Sequence, residues 1–299
     1  MSPPRSSGLS AIEALVCRDV GRGTRALIEA SRGDLALAAQ SLAKGGHVGL
    51  ITGFFVPRGE VAAAETDGPV GTALLAAALR ACGLLISVAV DTPCIDVVRV
   101  AMTEAGLAAH IDEIRIGDGS SLQAVNREWQ RDGLSHVVAI ERCGLSADGK
   151  PRNMRGADVS AWTAPLDELF AGGRWTKVAV GDGGNEVGMG KLPPGLVANS
   201  VPNGAGIACV TSCDHLVVAG VSNWGAYGLM AALAVLRDDW SPTIARFLTA
   251  ERDRAVTQAI VEKAGAVDGV TARREATVDG LGPEVHGKLI DDLRRIVWG

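Results

Sequence analysis

The sequence predicts an α/β fold with a doubly wound, mainly parallel sheet flanked by helices. Short apolar runs of strand length alternate with longer helical patterns along most of the 299 residues, and such alternation favours a parallel sheet. Glycine or proline marks many of the passages between these elements. A hydrophobic content of 47% with only 4% aromatic residues suits tight packing of helices on a sheet. We expect residues 1–299 to form a single α/β domain.

The first half of the chain predicts alternating helices and strands. A helix over 33–44 precedes a strand over 47–54, and a loop follows. Pro69 opens a helix over 69–82, because proline suits the first helical turn. The pattern continues with strands at 84–90, 113–116 and 136–141, which alternate with helices at 94–105 and 120–132. Ser120 is the expected cap of the last of these helices.

The second half begins with a long loop and then returns to strands. Residues 142–158 have little apolar periodicity and several glycines, so we expect a loop, and long loops in compact domains are usually functional or disordered. A short helix and three strands should follow, at 165–171, 177–182, 207–210 and 215–220. Asn223 is the expected cap of a helix that runs to about residue 237. The tail from residue 241 has mostly helical patterning.

Charge and composition argue against several classes of protein. The net charge is -5 and no stretch is densely basic, so we expect no nucleic-acid partner. The apolar runs are too short to span a bilayer, and the amino terminus lacks a secretory pattern. The six cysteines form no CxxC pair, which favours a reducing, cytoplasmic setting. The alanine-rich helices could pack within the domain or across a homodimer.

Chemically useful residues follow most of the predicted strands. In open α/β sheets, ligands bind outside the carboxyl ends of the strands. Three of five strand ends carry carboxylates, and in a parallel sheet these groups should converge on one edge. The residues at the five ends are Thr52 and Gly53; Asp91 and Thr92; Glu141, Arg142 and Cys143; Asp182, Asn185 and Glu186; and Ser222, Asn223 and Trp224.

The stretch GDGGNEVGMG at 181–190 is the densest glycine loop, and three interpretations apply to it. Its backbone N–H groups could hold a phosphate, but it lacks the P-loop ending and carries two acids. Asp182, Asn185 and Glu186 could instead bind an ammonium group or a hard metal, because Mg²⁺ and Mn²⁺ prefer oxygen ligands. The third interpretation is a tight turn whose acids cap the next helix.

Two further stretches offer a choice between structural and functional roles. In ETDGPVGT at 65–72, one interpretation is that Asp67 caps the following helix, and the other is that the amino terminus of this helix faces the site and holds a substrate carboxylate; the two are compatible. The loop at 139–160 is either a solvated surface or part of the site. Cys143 lacks an identifiable histidine partner, which argues against a thiolate nucleophile. The histidines that start predicted strands, His47, His136 and His215, lie at the wrong end of the sheet for catalysis.

Four long motifs resemble the D-glutamate cyclase family in its C-terminal-domain form. They are ETDGPVGT, AIERCGLSADGKPRNMRGADVS, GDGGNEVGMG and DHLVVAGVSNWGAYGL, and the resemblance spans about residues 45–240. It implies a lyase that acts on D-glutamate. The amine attacks the side-chain carboxyl carbon, water leaves and 5-oxo-D-proline forms, while the reverse reaction opens the lactam.

The chemistry of that implied reaction suggests roles for individual residues. Arg155, or else Arg142, would hold the substrate carboxylate. Glu141 or Glu186 would act as base or acid. Asp182 would join them in catalysis and, with Asn185 and Glu186, hold Mg²⁺ or Mn²⁺ to polarise the carboxyl oxygen. Without a metal, the N–H groups of Gly183 and Gly184 could form an oxyanion hole.

Other expected substrate contacts are Glu65, Asp67, Thr72, Ser222 and Asn223. The expected partner is this small-molecule substrate. A competing interpretation keeps the glycine loop as the phosphate site of a nucleotide- or phosphosugar-binding enzyme.

Overall fold

The computed structural model describes residues 5–57 and 62–299, and a six-stranded sheet organises them. All neighbouring strands in this sheet are parallel, in the order β5-β4-β1-β6-β7-β8. These strands are β1 (His47–Thr52), β4 (Leu85–Asp91), β5 (Ile111–Ile114), β6 (His136–Ile140), β7 (Thr176–Gly181) and β8 (His215–Val218). A small antiparallel pair, β2 (Phe55–Val56) and β3 (Ala63–Ala64), follows β1. The predicted α/β fold with a parallel sheet is confirmed.

Helices cover both faces of the sheet. Within the described ranges they are α1 (Arg5–Val16), α2 (Arg25–Ala30), α3 (Asp34–Leu42), α4 (Pro69–Ala81), α5 (Ile95–Glu104), α6 (Gly119–Arg131), α7 (Leu166–Ala171), α8 (Leu196–Ser200), α9 (Gly204–Ile207), α10 (Ser222–Leu236), α11 (Ser241–Ile244), α12 (Ala250–Ala264) and α13 (Pro283–Trp298). No described helix is long and apolar enough to cross a membrane.

Alternating side chains along the strands build two separate hydrophobic cores. In β6, Val138 and Ile140 join one core, whereas Val137 and Ala139 join the other, because successive side chains of a strand point to opposite faces. The first core also takes apolar residues from α1, α3, α4, α5, α10, α12 and α13. The second takes residues from α2, α6, α7, α8 and α9. Burial on both faces explains why these strands are continuous apolar runs in the sequence.

The strand order creates a crevice between β1 and β6. From β1 the chain moves outward to β4 and β5, then returns to the other side of β1 and continues through β6, β7 and β8. At such a reversal of strand order, the crossover helices leave in opposite directions and a ligand site opens at the carboxyl ends. Thr52 ends β1 here and Glu141 directly follows β6. The sheet therefore places the expected site residues around this crevice.

One predicted strand and two predicted caps were wrong. Residues 207–210 form no strand: Ile207 ends α9, and Cys209 makes only an isolated bridge to Ser146. Four apolar residues are too few to distinguish a strand from a buried loop. The cap of α6 is Asp118, whose side chain accepts the Ser120 N–H, rather than Ser120 itself. Asn223 does not cap its own helix α10, because its Oδ1 accepts the N–H groups of Gly68 and Gly71 at the start of α4.

Candidate active site

A cavity of about 380 Å³ opens at the carboxyl ends of β1, β6 and β7. Carboxyl groups dominate its charged lining, and two arginines accompany them. The five acids are Glu65, Glu141, Asp182, Glu186 and Asp279, and the arginines are Arg22 and Arg155. The predicted convergence of strand-end carboxylates on one edge is thus what the fold produces.

Glu141 occupies a strained position at the end of β6. Its φ is 45°, a left-handed conformation that costs a residue with a Cβ roughly 1–2 kcal/mol. Its N–H donates to Val180 O, and its buried Oε2 accepts a 2.5 Å hydrogen bond from Ser222 Oγ. Gly68 allows this arrangement, because a Cβ there would lie 2.7 Å from the Glu141 Cβ. Strain held in place by neighbours is a feature of functional sites.

The amino termini of α4 and α10 cap each other crosswise. Asp67, just before α4, accepts the N–H groups of Ser222 and Asn223 at the start of α10, at 2.9 and 2.8 Å. Asn223 in turn uses Oδ1 to accept the N–H groups of Gly68 and Gly71 at the start of α4, at 3.0 and 2.7 Å. Each residue therefore caps mainly the other helix, which corrects the predicted cap of α10 by Asn223 and the interpretation in which Asp67 caps α4. The exchange fixes both helix termini against the crevice.

The glycine loop is folded around one of its own side chains. The carboxylate of Glu186 accepts the N–H groups of Asp182, Gly183 and Gly184, at 3.1, 2.7 and 2.7 Å. Gly184 has a φ of 109°, which favours glycine. Successive N–H groups of this kind form an anion-binding concavity. Here an internal carboxylate fills it.

Arg22 links the glycine loop to the carboxyl-terminal part of the chain. Its guanidinium donates to Asp182 Oδ1 and pairs with Asp279 Oδ1, both at 2.6 Å. The side chain is 22% exposed, and the pKa of the guanidinium is raised by Asp182 and Asp279 against the effect of burial. Asp19 orders the loop beneath it by accepting the N–H groups of Gly21 and Arg22.

Three buried carboxyl groups meet at the cavity, two of them in its lining and the third beside it. Asp67, Glu141 and Asp182 each offer an oxygen, and these oxygens lie within 4.8 Å of one another. Burial, together with the neighbouring acids, raises the pKa of Glu141 and Asp182 well above the usual range and that of Asp67 to about 8. Asp182 Oδ2 is buried without a hydrogen-bond partner among the described residues. The group is built to accept protons or a cation.

The family profile described as "D-glutamate cyclase-like, C-terminal" matches residues 12–294. The chain belongs to this family. It is 34% identical over 246 residues to the human protein named "D-glutamate cyclase, mitochondrial". The aligned region covers 77% of this chain and 39% of the human protein. The chain thus spans about two fifths of that relative's length. The family predicted from the four motifs is confirmed, while the cytoplasmic location and the homodimer stay predictions.

The structure of this family member separates the expected substrate contacts into three groups. Glu65 and Arg155 line the cavity, and Arg155 is exposed. Ser222 and Asn223 hold Glu141 and α4 in place, as described above. Thr72 is buried in α4, and its Oγ1 has no hydrogen-bond partner among the described residues.

Several other residues expected in the site already make hydrogen bonds or ion pairs within the protein. Arg142 is fully buried in a 2.7 Å ion pair with Asp91 and donates to the carbonyls of Gly53 and Ala164. Asn185 lines the cavity, but its Nδ2 donates to Arg152 O. The N–H groups of Gly183 and Gly184 point to Glu186. The thiol of Cys143 is buried with a pKa raised well above its usual value, which opposes a thiolate.

Sequence reasoning missed Arg22 and Asp279. Both lie outside the strand ends from which the site was predicted. Arg22 does carry a local signal, since it stands between Gly21 and Gly23, which both have positive φ values. Asp279 carries another, because it lies in an Asp-Gly turn with a φ of 56°. Nothing local in either stretch indicates that the two residues meet.

Proposed function

We propose that this protein is an enzyme that interconverts D-glutamate and 5-oxo-D-proline by intramolecular cyclisation with loss of water. The observation that carries the proposal is the trio of Asp67, Glu141 and Asp182 beside Arg22. Such a site suits a ligand with one ammonium group, one carboxylate and a reacting carbonyl. Membership of the D-glutamate cyclase-like family and the name of the human relative support the choice of substrate.

Arg22 is the proposed anchor of the substrate's α-carboxylate. Its two terminal nitrogens already hold carboxylate oxygens, from Asp182 and Asp279, so the fork has the geometry that a bidentate carboxylate needs. A bound substrate carboxylate takes the place of both partners, so that each terminal nitrogen of Arg22 donates to one of its two oxygens. Arg155, the first choice from sequence, lies exposed in the cavity lining and supplies a second positive charge there.

Glu141 and Asp182 are the proposed acid and base. Cyclisation requires a base that takes a proton from the ammonium group and an acid that protonates the leaving oxygen. Buried carboxyl groups this close oppose one another's ionisation, which suits a pair in which one group holds a proton while the other accepts one. In the reverse direction the same pair activates water and protonates the lactam nitrogen. Glu186 has a supporting role, because its carboxylate is committed to the glycine loop.

A divalent cation is the alternative proposal at this position, because a carboxylate that holds the ion cannot also exchange a proton. The oxygens of Asp67, Glu141 and Asp182 are hard ligands of the kind that Mg²⁺ or Mn²⁺ prefers. Asp182 Oδ2 has no hydrogen-bond partner among the described residues, so it is available to coordinate an ion. This set and the set expected from sequence share Asp182. Glu186 is engaged by the N–H groups of its own loop, whereas the hydrogen bond of Asn185 to Arg152 O uses Nδ2 and not the oxygen that would bind an ion. When bound, the ion would polarise the substrate carboxyl group.

The phosphate-binding alternative has little support. The N–H groups that could hold a phosphate are occupied by the Glu186 carboxylate. The remaining lining is rich in carboxyl groups, which repel a phosphate dianion.

A direct assay tests the proposed reaction and the metal together. Purified protein is incubated with D-glutamate, and separately with 5-oxo-D-proline, in Mn²⁺ or in EDTA, and chiral chromatography follows both compounds. We expect interconversion in both directions; a loss of rate in EDTA that Mn²⁺ restores would favour the cation over the acid–base pair. Equal rates with and without EDTA, with no metal detected by mass spectrometry, would remove the cation. No interconversion under any condition would overturn the proposed function.

A further inference from the structure

The cavity has an apolar lining that neither D-glutamate nor 5-oxo-D-proline can cover. This lining consists of Phe54, Val56, Pro57, Met154, Pro202 and Val270. At about 380 Å³ the cavity falls in the range of roughly 300–1,000 Å³ that holds drug-sized ligands, whereas glutamate has only about ten non-hydrogen atoms. The site therefore has room and apolar surface for a substituent larger than glutamate itself.

The charges of the site indicate where that substituent is attached. Five carboxyl groups line the cavity beside two arginines, and Asp67 lies behind them. A free γ-carboxylate would add another anion to this group, and even a bound divalent cation would leave the carboxyl groups in excess. A γ-amide is neutral and avoids that repulsion. The α-carboxylate, by contrast, has Arg22 as a matched partner and should remain free.

We infer that the cavity accepts D-glutamate derivatives that carry an apolar amide on the γ-carboxyl group, and that the protein cyclises them with release of the amine. The inference rests on the proposed function, because the same attack of the α-amine on the γ-carbon is used. The C–N bond to the departing amine breaks as the lactam C–N bond forms. Of the two protons that the ammonium group loses, one goes to the departing nitrogen and one to solvent. No other reactant is needed.

The reaction supplies its own proton for this departure. An amine leaves readily only when its nitrogen is protonated, and the attacking ammonium group releases two protons, one of which goes to that nitrogen. An amide carbonyl is also a better electrophile than a free carboxylate. We therefore expect γ-amides to react faster than D-glutamate.

γ-D-Glutamyl-p-nitroanilide, D-glutamine and D-glutamate are the probes, with α-D-glutamyl-p-nitroanilide as the matched control. We expect the γ-anilide to have a kcat/KM at least tenfold above that of D-glutamate. 5-Oxo-D-proline should form in step with p-nitroaniline, and the α-anilide should not react. If D-glutamate cyclises and the γ-anilide does not, the inference is overturned and the proposed function stands. If the γ-anilide gives D-glutamate instead of the lactam, the inference also fails. If no probe reacts, the proposed function fails with it.

A variant tests whether the apolar lining recognises the substituent. Met154→Gln keeps the length of the side chain but places an amide in the lining. The ratio of kcat/KM for the γ-anilide to that for D-glutamine should fall about fivefold. A general loss of activity lowers both values equally and so cancels in this ratio. Leu37→Gln changes an exposed apolar residue of α3 outside the cavity and should leave the ratio unchanged. An unchanged ratio in Met154→Gln would contradict recognition by this lining.

Discussion

Two cavities lie at opposite edges of the same sheet, and the charged groups that line them distinguish them more clearly than their volumes do. The cavity at the amino ends of β6 and β7 is the larger, at about 510 Å³, and Trp129 and Trp175 form part of its walls. Its described lining residues include Gln130 and Arg174 but no carboxyl group. The smaller cavity at the carboxyl edge, about 380 Å³, has five. Buried charge, and not volume, therefore distinguishes the candidate site.

The direction of the parallel strands explains this difference. Crossover helices begin at the carboxyl edge, where the positive ends of their dipoles and their free N–H groups stabilise anions. Asp67 uses this effect at the start of α10. At the amino edge, His47 and His136 begin β1 and β6 and bond to serine hydroxyls of Ser87 and Ser41. The predicted structural role of these histidines agrees with those contacts.

Replacement of the Glu141 carboxylate, at the carboxyl edge, should lower activity more than any other change. Glu141→Gln keeps the size of the side chain and a hydrogen bond with Ser222, but it cannot exchange a proton. Because general acid–base catalysis contributes typically 10²–10⁴-fold, we expect kcat to fall by about that factor. The measurement is the rate of 5-oxo-D-proline formation, with the melting temperature as a check on folding.

Asp112→Asn is the matched change near the amino edge. Asp112 accepts the indole N–H of Trp129, and asparagine can still accept it. We expect kcat within about twofold of the wild type. A Glu141→Gln protein that kept more than a third of its activity would contradict the catalytic role, and a large loss in Asp112→Asn would remove the contrast between the edges.

The two cavities also offer a matched pair of arginines. Arg22→Gln should raise the KM for D-glutamate by roughly 10–100-fold, because hydrogen bonds to charged groups contribute about 1.5–3 kcal/mol. Arg174→Gln removes the same charge from the amino-edge cavity and should leave KM unchanged. Initial rates over a range of D-glutamate concentrations separate KM from kcat. Equal KM values in the two variants would show that Arg22 is only a structural link.

The sheet and the edge that carries the candidate site could be predicted because local patterns determine them. Strands buried on both faces are continuous apolar runs, and a parallel sheet brings the residues after them together, as with Glu141 and Asp182. The strand predicted at 207–210 failed because a short apolar run inside a loop has the same pattern. No helix was predicted before residue 33, so α1, which packs on α10, was missed.

The partners of the site residues could not be predicted, because they depend on contacts between distant parts of the chain. Arg22 reaches Asp279 across almost the whole sequence. The roles of Asp67 and Asn223 follow from two helix termini that face each other, whereas a sequence pattern assigns a cap to the nearest helix. Glu186 was expected to face a ligand because nothing in the sequence indicates that its own loop closes on it.

Loss of the caps that α4 and α10 exchange through Asp67 and Asn223 should have the smallest effect, and it should lower stability more than rate. Asn223→Ala leaves the N–H groups of Gly68 and Gly71 without their shared acceptor, and loss of a helix cap costs about 0.5–2 kcal/mol. Asp118→Ala removes an ordinary cap, of α6, and should destabilise the protein by a similar or smaller amount. Only Asn223→Ala should also lower kcat, by a few-fold, because α4 and α10 together hold Ser222 against Glu141. Urea unfolding measures the first effect and the cyclisation assay the second. If both variants lose stability but keep full kcat, the crossed caps stabilise the fold without positioning the site.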